Sequence, residues 1–145
     1  MDRPPPTGFL RGPTGSFYKR YNMEEHKANW EDSKRKCVES GGHLTILETE
    51  KEKQFVIANF ARKSGDRIIY LGASDLRREG VWTWIDGSPV DMKLFPRWEP
   101  NNFGGNEHCA AIFGEDFTYM ADVGCDQKQA RVCEFKNMRE CTIVQ

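Results

Sequence analysis

The chain has 145 residues, 38% hydrophobic and 12% aromatic, enough for one domain with its own core. Its 21 Lys and Arg against 22 Asp and Glu leave a formal net charge of -1, which excludes the basic surface a nucleic-acid partner needs. No apolar run could span a membrane, and Met1-Asp2-Arg3-Pro4-Pro5-Pro6 lacks the apolar stretch of a signal peptide. Residues 1–16 hold Pro4, Pro5, Pro6 and Pro13 among Gly8, Gly12 and Gly15, and read as an extended tail. The domain is expected over 17–136, opening with a strand at Phe17-Tyr18-Lys19-Arg20-Tyr21. Residues 137–145 form a short C-terminal tail that carries Cys141.

Asn29 can cap a helix in which Trp30, Ser33 and Cys37 recur at helical spacing, and Gly41-Gly42 stops it, so Cys37 belongs to the buried face. Lys34-Arg35-Lys36, with Glu31 and Asp32 beside it, reads as the solvated face of that helix. A second helix starts at the capping box Thr49-x-x-Glu52, carries Phe55, Val56, Ile57 and Phe60, and ends at Gly65. Strands are predicted over 68–72, 81–84, 110–113, 117–120 and 130–135. From 86 to 106 regular structure stops at Pro89, Pro96, Pro100 and several Gly and Asn; so long a loop in a compact domain is functional or disordered, and Leu94, Phe95 and Trp98 argue for order. The fold class is α+β: two helices flanking small antiparallel sheets, with one long loop.

Of the five cysteines, Cys37 stands alone while Cys109, Cys125, Cys133 and Cys141 crowd the last third, and no pair has C-x-x-C spacing. A disulfide framework fits better than a zinc knuckle or redox site, and it implies an oxidising compartment, hence secreted or ectodomain material.

The stretch WEPNNFGGNEHC, 98–109, sets Glu99, Asn101, Asn102, Asn106 and Glu107 around Pro100 and Gly104-Gly105. Calcium is a hard cation that takes 6 to 8 oxygens, and carboxylates with amide carbonyls on an irregular backbone suit it. Pro100 turns the chain between Glu99 and Asn101, and the two glycines let it double back to Glu107.

Seven segments in order carry a resemblance to the C-type lectin domain: W-x-x-S-x-x-x-C (Trp30 to Cys37), G-G-H-L (Gly41 to Leu44), Y-L-G-A-S-D (Tyr70 to Asp75), W-T-W-I-D-G (Trp82 to Gly87), W-E-P-N-N, G-N-E-H-C and V-C-E-F (Val132 to Phe135). The resemblance implies the C-type lectin-like fold with bridges Cys37–Cys133 and Cys109–Cys125, and leaves Cys141 for an intermolecular disulfide and a linked homodimer. By chain-entropy reasoning the short bridge contributes roughly 3 kcal/mol and the long one about 4.7 kcal/mol. It also implies a cis Glu99–Pro100 bond and a primary calcium site of Glu99, Asn101, Glu107 and Asp122, the same residues holding the sugar. An auxiliary calcium site is implied at Asp75 and Glu79 against Asn102 and Glu107. Where the family reads Trp-Asn-Asp, this chain reads Met120-Ala121-Asp122, so one amide ligand is missing; Asn102 stands where the family usually has an acid.

The order Glu-Pro-Asn goes, by the same resemblance, with equatorial 3,4-diols: mannose, glucose, N-acetylglucosamine and fucose on microbial or host glycoproteins. The implied function is a secreted, calcium-dependent lectin of innate immunity. Its rival is a calcium-independent protein-binding module on the same fold with a degenerate sugar site, favoured by Ala121. No nucleophile and base pair stands out, so no enzyme is expected. Trp82, Trp84 and Trp98 are expected in the core rather than as sugar platforms, and His108 in a structural role.

Overall fold

The computed structural model describes residues 8–61, 65–114 and 118–136. Strands β1 (Phe9–Arg11), β2 (Phe17–Tyr21), β3 (His43–Leu44), β4 (Ile68–Ser74), β5 (Thr83–Trp84), β6 (Glu107–Phe113), β7 (Tyr119–Gly124) and β8 (Ala130–Phe135) accompany helices α1 (Trp30–Glu39) and α2 (Glu50–Val56). The sheet runs β1-β2-β8-β4-β6-β7, with β3 beside β8 and β5 beside β4. Every pairing is antiparallel except β4 with β8. The α+β class is as the sequence implied, with the strands joined in one sheet rather than in separate small ones.

Both helices start where their caps dictate. Asn29 accepts the Asp32 N–H at 2.8 Å, and α1 buries Trp30, Ser33 and Cys37 while Lys34 and Arg35 pair with Glu31, Asp32 and Glu39 in solvent. Trp30 then donates its indole N–H to the Leu71 carbonyl at 2.8 Å, which docks the helix on β4. Thr49 accepts from the Glu52 N–H at 3.1 Å, and the fully buried Glu52 accepts from the Glu48 N–H at 2.9 Å and the Tyr18 hydroxyl at 2.8 Å. The chain leaves α2 through one wider helical turn, Ile57–Ala61.

One core packs Val56, Ile57 and Phe60 against Ile69, Leu71, Ile112 and Val132, and takes in Trp84 of β5, Trp82 just before it, and Leu94 and Phe95 from the long irregular segment. A smaller core on the other face gathers Trp30, Tyr70, Phe135 and the buried sulfurs. Cys37–Cys133 joins α1 to β8, and Cys109–Cys125 joins β6 to the residue after β7. Cys141 and the tail 137–145 lie outside the described residues.

Three expectations need correction. Residues 9–11 are not tail: Phe9 pairs with Lys19 and meets Phe135 edge-on at 5.0 Å, so the sheet begins before Phe17. The strand expected over 81–84 is only Thr83–Trp84, Val81 being exposed and Trp82 buried outside any strand. Trp98 is 62% exposed rather than core, its ring edge-on to Tyr119 at the surface.

Candidate metal and ligand site

The site is assembled where the loop after Trp98 meets the start of β6 and the end of β7. Pro100 follows a cis peptide bond from Glu99, as expected, and Asn102 takes the left-handed region at φ 45°, so the chain reverses within a few residues. Asp122, buried on β7, anchors that reversal: its two carboxylate oxygens accept the backbone N–H groups of Asn101 and Asn102. The Phe103 N–H is shared between Asn101 Oδ1 and Glu107 Oε1, each at 3.1 Å. The structure therefore brings Glu99, Asn101, Glu107 and Asp122 to one place.

The electrostatics of the cluster are those of acids short of a cation. Burial first, then a hydrogen bond with Asp122 that only a protonated carboxyl can make, and then the charges of Asp122 and Glu107, push Glu99 up to about 8. Glu107 is likewise raised, by burial and by Asp122. Glu99 Oε1 is buried and has no hydrogen-bond partner, a state that costs free energy unless something positive reaches it. The residues present fit a hard divalent cation, with Glu99, Glu107, Asp122 and the Asn101 carboxamide as its oxygen donors. Ala121, 2% exposed and opposite Ala111 in the β6–β7 register, adds no polar atom.

Beside it lies a second cluster. Asp75 is buried just after β4, its Oδ2 accepting the Gly80 N–H at 2.9 Å and its Oδ1 lying 2.9 Å from His108 Nδ1. Glu79 Oε1 lies 3.5 Å from the same nitrogen and accepts from the Asn102 side-chain N–H at 3.0 Å. Asp75, Glu79 and Asn102 do meet as expected, but Asn102 turns its carboxamide oxygen to the Glu107 N–H at 2.9 Å. Sequence reading missed His108 as a member of this group, because nothing in the residues around it points to a partner 33 positions earlier. Burial lowers its pKa, but the hydrogen bond and charge of Asp75 and the charge of Glu79 outweigh that and hold it above the usual histidine range. Glu79 is raised in turn, chiefly through its hydrogen bond with Asp75. A His–Asp pair can orient a catalytic base, yet the adjacent Cys109 is locked in a disulfide and offers no nucleophile.

Phe103, 78% exposed, and Trp98 stand at the rim of the loop that carries Glu99. A family model described as "Lectin C-type domain" matches residues 26–135. The chain belongs to the C-type lectin domain family. It is 32% identical over 125 residues to mouse CD209 antigen-like protein D, covering 84% of this chain and 50% of that protein. Human CD209 antigen is 33% identical over 125 residues, with 84% of this chain and 29% of that protein covered. The C-type lectin domain thus spans half the length or less of these curated relatives. Among solved structures, the mouse scavenger receptor C-type lectin carbohydrate-recognition domain superposes with a TM-score of 0.73 at 28% identity, over 89% of this chain and 95% of that one. Among the described residues of this C-type lectin domain, no helix is long and apolar enough to cross a membrane.

Proposed function

We propose that this C-type lectin domain is a calcium-dependent carbohydrate-binding module, secreted or otherwise extracellular, that takes sugars with equatorial vicinal hydroxyls of the mannose type. The observation that carries the reading is the buried, partnerless Glu99 Oε1 in a nest with Asp122 and Glu107, whose mutual repulsion a divalent cation relieves. When bound, calcium supplies open coordination positions to a pair of sugar hydroxyls. Glu99 and Glu107 then accept hydrogen bonds from those hydroxyls while the Asn101 carboxamide donates to one of them. Asp122 has its oxygens committed to the loop backbone as well, so it both shapes the loop and closes the site. Phe103 offers an exposed ring to the apolar face of a pyranose. That the mouse scavenger receptor domain, 28% identical, is a carbohydrate-recognition domain supports a glycan as the ligand, and microbial or host glycoproteins would carry it.

Ala121 favours a second reading, a protein-binding domain whose sugar site is one ligand short. Neither reading involves catalysis. A disulfide-linked homodimer through Cys141 belongs to the same proposal, since paired weak sites gain avidity. A glycan array run with calcium and again with a chelator separates the two readings. Mannose-type signals that vanish with the chelator support the lectin, whereas the absence of any glycan signal in both conditions supports the protein-binding domain.

A further inference from the structure

The auxiliary cluster does not fit calcium. Calcium takes 6 to 8 oxygens, and here an imidazole nitrogen stands within reach of both carboxylates, 2.9 Å from Asp75 Oδ1 and 3.5 Å from Glu79 Oε1. Imidazole with carboxylate is instead a donor set for borderline ions, zinc foremost.

We infer that Asp75, Glu79 and His108 form a site for a divalent transition-metal ion of the zinc class. Zinc bonds nitrogen and oxygen at about 2.0–2.2 Å, so tetrahedral ligands stand roughly 3.3–3.6 Å apart. His108 Nδ1 lies 3.5 Å from Glu79 Oε1, within that spacing, and 2.9 Å from Asp75 Oδ1, a hydrogen bond that the ion replaces as the pair opens by about 0.4 Å; all three ligand atoms fall within 4.8 Å of one another. Two of the ligands are already held: the Gly80 N–H fixes Asp75 through its other oxygen and the Asn102 amide orients Glu79, as second partners do around bound zinc. The set supplies three protein ligands and leaves a fourth position open. Its occupant ties the segment after β4 to the base of the loop at Asn102 and Glu107, and it needs no sugar, so the inference stands independently of the lectin reading.

The test is calorimetric titration of the full chain with zinc, with Cys141 alkylated and calcium in excess so that Glu99 and its neighbours are already filled. One zinc per chain is expected, together with the visible absorption of tetrahedral cobalt when Co²⁺ replaces zinc. His108→Ala and the bulkier His108→Gln each lower zinc affinity about tenfold or more while the melting temperature without zinc shows both folded. His108→Asp, which replaces the imidazole with an oxygen ligand, loses zinc and gains a second calcium. A folded wild type that takes up no zinc, or zinc affinity that survives both His108→Ala and His108→Gln, overturns the inference.

Discussion

Without a cation Glu99 keeps its proton at neutral pH, because burial first, and then Asp122 and Glu107, push its carboxyl up to about 8. The sign follows from linkage. A raised carboxyl contributes stability that is fully present below its ordinary value of about 4.3 and is lost as pH rises through the folded value. Calcium must displace that proton, so its apparent affinity should climb toward about tenfold per pH unit between pH 6 and 8, with close to one proton released per ion. Calorimetry in two buffers of different ionisation enthalpy counts the proton; a calcium affinity flat with pH would contradict this charge arrangement. Ala121 is the second residue to test. Ala121→Asn adds an amide oxygen and N–H beside a charged site, worth roughly 1.5–3 kcal/mol, or about tenfold or more in calcium affinity. Because residue 121 is 2% exposed, the variant should melt lower without calcium. Lower melting with no gain in calcium affinity would place residue 121 away from the ion. That Glu99, Asn101 and Glu107 gather could be read from the sequence because residue type and spacing on one loop announce it, whereas Asp122, on β7, came only from the resemblance. His108 could not, since its role rests on a contact with Asp75 that only the fold creates.

At the scale of elements, helices were the most legible, because Asn29 and Thr49 announce their starts through hydrogen bonds confined to the next few residues. Strand β1 was hidden for the opposite reason: three residues between Gly8 and Gly12 show no period, and their only signal is Phe9, which finds Phe135 from the far end of the chain. If β1 belongs to the domain, truncating Phe9, 7% exposed, should cost about 3 kcal/mol, the low end for a buried Phe. Urea unfolding of Phe9→Ala would show it as a lower midpoint at unchanged slope, and an unchanged midpoint would return residues 9–11 to the tail. The long irregular segment was legible as ordered from Leu94 and Phe95, both buried. Trp98 misled, because an aromatic ring beside a functional loop reads the same in sequence whether it packs inward or, as here, stands 62% exposed.

For the molecule as a whole, the order of the seven segments carried the fold further than periodicity could. The resemblance they carry implies bridges Cys37–Cys133 and Cys109–Cys125, and both are present. Those bridges and two cores form a frame on which the loop from Glu99 to Glu107 is displayed at one end of the sheet, with β6 and β7 supplying Glu107 and Asp122. The proposed function requires that this displayed cluster bind calcium and, through it, sugar. Retention on immobilised mannose tests it most directly, for wild type, Glu99→Ala and Glu107→Ala, each checked for native folding. Wild type should be retained in calcium and released by EDTA, and both folded variants should flow through; variants that bind mannose and elute with EDTA as wild type does would contradict it.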